Sequence, residues 1–214
     1  MLRRVDANAG RVLAAVDRQR DRGDEVLLIL CSDHGHQTVS GVVDVEAELV
    51  AAGLKESRGS DDVIACTNGT SSLIYVHPDR SARVGEIGGF LEGRDWVDTV
   101  IGAAELASFG QAANHGLAFA VSLRSDDEPN AFGVRGRSIE ARPAPGKVDH
   151  LGCGQHGGLA RYEQMPFLMI EGAGFMPGTR CETPTSPIDL APTVLAHLGR
   201  PAADMDGRAL QGSV

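Results

Sequence analysis

Six residues, VLLILC at 26–31, run without a polar side chain straight into Ser32-Asp33-His34-Gly35-His36. A short unbroken apolar run suits a strand covered on both faces, the pattern of parallel sheets flanked by helices. In open α/β sheets, ligands lie beyond the carboxyl ends of strands. Asp33 and His34 stand at such an end. A carboxylate oxygen beside an imidazole nitrogen suits Zn2+, Mn2+ or a similar borderline cation. Gly35 permits the bend that would turn both toward one ion.

The surrounding pattern predicts helices alternating with strands. Val5, Ala9, Val12, Leu13 and Val16 recur at helical spacing, with Gly23 as the stop signal. Residues 45–52 read as a short helix ended by Gly53. Strands are expected at 63–67 and 72–77 around the turn-forming Asn68-Gly69-Thr70, a helix at 82–92, and strands at 97–101 and 117–123. Residues 125–158 are rich in Gly, Pro and charge without a period, and are expected to form a long loop region of the functional kind. Order returns with PFLMIEGAG, where Pro166 opens a strand. Near the C-terminus Asp189 is placed to cap a helix, with Pro192 in its first turn. Leu190, Val194, Leu195 and Leu198 supply its apolar stripe, and Gly199 with Pro201 stops it. The fold class expected is a three-layer α/β/α arrangement with a mostly parallel central sheet.

Composition narrows the partners. A net charge of −9 and the lack of any basic run exclude a nucleic acid polymer as the main ligand. No apolar run approaches the roughly 20 residues of a membrane span, and the N-terminus does not read as an export signal. Four widely spaced cysteines with no Cys-x-x-Cys pair favour reduced thiols and a cytoplasmic compartment. An acidic protein that takes a phosphorylated ligand needs local positive charge, most simply a bound metal.

A second histidine has a chemical setting. In GCGQHGG, His156 lies among glycines just before the late strand, where the backbone can approach a ligand closely and the imidazole stands clear. With LILCSDHGH, GCGQHGG and SPIDLAPTVLAHLGRPAADMDGRAL in this order, the chain resembles the alkaline phosphatase superfamily. Within it, the likeness is greatest to type I phosphodiesterases/nucleotide pyrophosphatases. The resemblance implies a metal-dependent hydrolase of phosphodiester or nucleotide pyrophosphate bonds, acting on a small phosphorylated or nucleotide substrate. It implies two divalent metal ions, zinc foremost. Asp33 and His34 would ligate the ion that activates a Thr or Ser nucleophile, and His156 would ligate the other. Paired ions lower a nucleophile's pKa and stabilise charge on attacking and leaving oxygens.

The resemblance also has a gap. The family's first-strand Asp, its Thr or Ser nucleophile and its Asp-x-x-x-His motif find no counterpart before residue 33. Asp17 and Asp21 fall in or beside the first predicted helix. The 214 residues are therefore expected to be the C-terminal part of one catalytic domain, without a nucleophile and with little activity alone. Uncovered sheet surface would then favour association, either as a homo-oligomer or with another chain. Other branches of the superfamily (phosphonoacetate hydrolase, phosphomutase, sulfatase) and a non-catalytic metal-binding remnant are the alternatives.

The remaining candidates have plainer readings. His36 reads as an exposed loop histidine. Cys153 and His156 make a Cys-x-x-His with no second pair nearby, and Cys31 reads as a small core residue. His77, His115, His150 and His197 lack a paired acid at recognisable spacing and read as structural. The acidic SDDEP at 125–129 lacks the spacing of a calcium loop.

Overall fold

A computed structural model describes residues 2–212. The chain divides into two compact units, one of residues 1–33 with 167–214 and one of residues 34–166.

The larger unit carries most of the apolar core. Helix α2 (Val45–Ala51) starts at Asp44, whose carboxylate accepts the Ala47 N–H at 3.0 Å and satisfies one donor of the first turn. It buries Val45 and Leu49. Helix α3 (Val84–Glu92) buries Ile87 and Leu91 and follows a 3-10 turn at Pro78–Arg83. Both helices pack on a four-stranded sheet ordered β3 (Val63–Asn68), β4 (Ser71–Val76), β6 (Leu117–Leu123), β5 (Val97–Gly102). Strand β4 alternates strictly, with Ser72, Ile74 and Val76 inward. The inner strand β6 is buried along nearly its whole length. Val63, Ile74, Phe119, Val121, Leu123 and Trp96 close the core.

The same unit holds a second four-stranded sheet, ordered β7 (Ser125–Pro129), β8 (Arg135–Ala141), β2 (Gln37–Val43), β9 (Gly154–Gln155). The stretch 125–158, expected as a long loop, thus supplies three strands. The period was masked by charge: β7 lies at the sheet edge, and Asp126 there pairs with Arg137 of β8 at 2.9 Å.

In the smaller unit, α1 (Leu2–Arg20) ends with Arg18 and Arg20 where the helix dipole favours cations. Arg20 forms an ion pair with Glu171 and donates to the Val26 carbonyl at 3.1 Å. The apolar run becomes β1 (Leu28–Cys31), which pairs with β10 (Leu168–Glu171). Helix α4 (Leu190–His197) follows a 3-10 turn at Pro187–Asp189. A cavity of about 1070 Å3 in this unit is lined by α1 residues such as Leu13 and by Leu28, Leu30 and Phe167.

Several expectations are corrected here. The sheets are largely antiparallel, not mostly parallel: β2 with β8 is the sole parallel pairing among the described residues. An unbroken apolar run reports burial rather than direction, and the two-residue connection between β3 and β4 dictates an antiparallel pair. Strand β1 is half-buried rather than covered on both faces, and Cys31 is exposed, not a core residue. In α4 the buried residues are Pro192 and Thr193, while Val194 and Leu198 are exposed. No helix among the described residues is long and apolar enough to cross a membrane.

Asp189 stands at the start of α4 as expected, but its side chain makes no capping bond to that helix. Its two carboxylate oxygens accept the N–H groups of Arg208 and Ser186, each at 2.9 Å. The Thr193 hydroxyl donates to the Asp189 carbonyl at 2.6 Å and accepts from the Leu210 N–H at 3.0 Å. The Arg208 and Ser186 donors hold the Asp189 carboxyl below the ordinary carboxylate range. A depressed pKa adds stability that is complete above the unfolded value of about 3.9 and is lost as pH falls through the folded value. Asp189→Asn keeps only one acceptor oxygen and turns an amide donor toward the other N–H. Urea unfolding should show the variant less stable at pH 7, with the gap to wild type closing below about pH 4. A gap unchanged from pH 7 to strongly acid solution would contradict this role.

Candidate metal centre

Strand β1 ends at Cys31, and residues 32–36 form the loop before β2. Asp33, exposed, is the last residue of the smaller unit's N-terminal segment, and His34 is the first residue of the larger unit. The Gly35 N–H donates to the Glu163 carbonyl at 2.8 Å. A Cβ at Gly35 would lie 1.8 Å from the Tyr162 carbonyl oxygen, so no larger residue fits. The glycine expected to permit a bend is thus demanded by backbone packing.

His34 Nδ1 lies 2.9 Å from the Gly35 carbonyl oxygen. A carbonyl only accepts, so Nδ1 carries the proton and Nε2 carries the ring lone pair. That arrangement, with one ring nitrogen donating to a backbone carbonyl, is the usual one for a metal-ligating histidine.

His156 arrives from β9. Antiparallel pairing sets Gln37 opposite Gln155 and Thr38 opposite Gly154, so the next residues outward are His36 and His156. Beyond the strand, Glu163 takes over. Its carboxylate oxygen Oε2 accepts from the Gly157 N–H at 2.9 Å, the Gly158 N–H at 2.8 Å and the Thr70 hydroxyl at 2.8 Å. The Thr70 N–H donates to the His156 carbonyl at 3.1 Å, tying the β3–β4 turn to the same loop. Gly157, at φ 131°, faces the Asn68 carbonyl, where a Cβ would come within 2.2 Å. Glu163 is buried and so is Thr70.

Two motifs far apart in sequence therefore meet. The rings of His34 and His156 stack with centroids 3.6 Å apart and planes at 18°. His36 stands edge-on to both, 5.0 Å from His34 and 5.3 Å from His156. One nitrogen from each of the three rings lies within 4.8 Å of the others. Imidazole nitrogens suit a borderline divalent cation such as zinc, whose tetrahedral ligands would stand closer together, at about 3.3 Å. His34, His36 and His156 would hold it, each by one ring nitrogen.

The sequence did not single out two of these contributors. His36, expected to be a bystander, joins the cluster because β9 places it beside His156. The signal was His-x-His ahead of a strand, obscured because the partner strand is two residues long. Glu163 left a fainter trace, a lone acid in a segment bounded by two tight glycine approaches. Cys153 is not part of the cluster. His150, read as lacking an acid, has one: its Nδ1 meets Glu140 Oε1 at 2.5 Å, and its N–H donates to Glu140 Oε2 at 2.8 Å. Gln155 Nε2 also donates to buried Glu140, at 3.3 Å, which steadies the strand that delivers His156.

The sequence profile of type I phosphodiesterase/nucleotide pyrophosphatase matches residues 1–136, more than half of the chain. The chain belongs to that family. The matched segment contains Asp33, His34 and His36 and ends before His156, so the structure alone joins the latter to the family motif. No curated protein matches the chain. Among solved structures, phosphonoacetate hydrolase from Sinorhizobium meliloti 1021 in complex with phosphonoacetate is similar at 16% identity, with a TM-score of 0.50. The same enzyme in complex with phosphonoformate is similar at 17% identity and a TM-score of 0.49. Each likeness covers 76% of this chain and 38% of the hydrolase, so the chain spans under two fifths of its solved relative's length. At this identity the likeness is one of fold.

Gly35→Ala should cost roughly 1–3 kcal/mol, the range for forcing atoms into a packed site. Coincident urea unfolding curves for wild type and variant would show that the Tyr162 carbonyl yields freely.

Proposed function

We propose that the chain supplies the metal-ligating part of a hydrolase of phosphodiester or nucleotide pyrophosphate bonds, with Asp33, His34 and His156 as ligands. The observation that supports this most is the stacking of His34 on His156 at 3.6 Å, two residues drawn from separate motifs. The substrate is a small phosphorylated molecule or nucleotide, in keeping with the family. Bound divalent cations, zinc foremost and two in number by family resemblance, would activate an attacking oxygen and stabilise charge on the phosphoryl oxygens.

The chain's own groups have narrower tasks. Glu163 and the glycine approaches hold the histidine loops, and the Gly35 carbonyl orients the His34 ring. Thr70 belongs to this network, but its buried hydroxyl donates to Glu163 and accepts from the Gly158 N–H at 2.8 Å. That leaves Thr70 as a structural residue rather than a nucleophile. Three ligand residues do not fill two zinc sites of about four ligands each, so turnover by these 214 residues alone is expected to stay at background.

Two measurements test the reading. Equilibrium dialysis should show zinc bound by the chain, and His156→Ala should weaken it at least tenfold; failure of wild type to bind would overturn the metal assignment. Zinc-dependent release of p-nitrophenolate from bis-p-nitrophenyl phosphate by the chain alone would overturn the statement that its catalytic set is incomplete.

A further inference from the structure

We propose that the smaller unit carries a slot for one extended segment of another polypeptide chain, which adds as a third strand to the open edge of β10. The slot is the cavity of about 1070 Å3 between α1 and the two-stranded sheet, and no histidine lines it.

The hydrogen-bond pattern of the sheet leaves that edge open. The Ser32 N–H donates to the Phe167 carbonyl at 3.2 Å, which extends the β1–β10 ladder by one residue in register. Opposite residues joined in this way recur at every second position of an antiparallel pair, so Leu30 with Met169 and Leu28 with Glu171 are the bonded pairs. Leu168 and Ile170 therefore turn their N–H and C=O groups away from β1, and no strand meets them among the described residues. A row of unpaired main-chain groups is a template for another strand. Two strands of four residues are also marginal in water without a third strand or a packed face.

The cavity lies along this edge. A strand's face is reached through alternate residues and its edge through consecutive ones. Strand β1 meets the cavity with Leu28 and Leu30 alone, whereas β10 meets it with every residue from Leu168 to Glu171. The facing walls are Ala9 and Leu13 of α1 and the loop 175–181. That loop is braced: the Phe175 N–H donates to the Gly172 carbonyl at 3.1 Å, and the Thr179 hydroxyl to the Met176 carbonyl at 2.8 Å. Walls of this kind admit a single extended segment. A two-fold pairing with β10 of a second copy would instead set α1 and the loop of each copy against those of the other.

The walls define the chemistry of the occupant. Its main chain pairs with Leu168 and Ile170, and its alternate apolar side chains lie against Leu13, Leu28 and Leu30. Three charged residues line the cavity: Asp6, Glu171 and Arg180. Glu171 is paired with Arg20, and Arg180 lies 3.0 Å from Glu182. Asp6 has no ion-pair partner among the described residues, so it favours a segment with a Lys or Arg at the end that reaches α1.

A fluorescein-labelled peptide, Lys-Val-Thr-Val-Thr-Val, titrated with the full 214-residue chain and followed by fluorescence anisotropy, tests the slot. Wild type should bind it, and the same peptide methylated at every backbone nitrogen should bind about tenfold more weakly, having lost its main-chain donors. Ile170→Pro removes an outward N–H from an edge strand, so it should weaken binding about tenfold while the urea midpoint of the chain stays as in wild type. Asp6→Asn should weaken binding of this peptide and leave binding of Ala-Val-Thr-Val-Thr-Val unchanged. Equal binding of the methylated and unmethylated peptides would overturn strand addition, and that comparison needs only the wild-type chain if Ile170→Pro fails to fold. A wild-type chain that binds neither peptide would overturn the slot. A dimer in sedimentation that Ile170→Pro dissociates would overturn it in favour of a second copy covering β10.

Discussion

A single buried carboxylate organises the candidate site. Glu163 Oε2 accepts three hydrogen bonds, from the Thr70 hydroxyl and the Gly157 and Gly158 N–H groups, and the Glu163 carbonyl accepts a fourth from Gly35. Burying a carboxylate is costly unless donors surround it. Here the donors come from the β3–β4 turn and from the His156 loop, while the carbonyl binds the loop of His34 and His36. A buried ionic group of this kind is weak evidence for stability and better evidence for geometry. Its consequence is positional: the loops cannot drift apart without stranding buried donors, each worth about 1–3 kcal/mol. Its other oxygen, Oε1, lacks a hydrogen-bond partner among the described residues, so Oε2 carries the contacts that hold the loops.

How much of this could be read from the chain depends on the type of signal. Elements with a clean period were legible: α1, α2, the β3–β4 hairpin around Gly69 and the buried strand β6 lie close to where the pattern puts them. Direction and partnership were not. The run at 26–31 is a strand, but nothing in six apolar residues says that its partner is antiparallel and comes from 168–171. Strand β7 was missed since its charged residues lie exposed at an edge, and β8 because the residues it turns inward, Gly136, Ser138 and Glu140, are not apolar. Asp189 was correctly placed at the start of α4, yet its reach to the Arg208 N–H depends on a chain return that spacing does not reveal.

The site divides in the same way. His34 and His156 were identified as chemically competent from their local settings, and their stacking brings together what the sequence separates. His36 could not be recognised without the two-residue strand β9 that sets the register. Gly35 was expected to permit a bend and the glycines around His156 to admit a ligand, but Gly35 and Gly157 instead admit the carbonyls of Tyr162 and Asn68. Their service to the site is indirect, through close backbone approach that leaves the rings converging. Membership in the type I phosphodiesterase/nucleotide pyrophosphatase family gives that convergence its chemical context, while the fold likeness to phosphonoacetate hydrolase extends over 38% of that enzyme.

The most direct measurement is diffraction from zinc-soaked crystals of the chain, recorded at the zinc absorption edge. Anomalous peaks bonded at about 2.0–2.1 Å to a ring nitrogen of His34 and to a ring nitrogen of His156 are expected. Peaks only at other residues, or well-ordered His34 and His156 rings with no ion bonded to either, would contradict the metal centre.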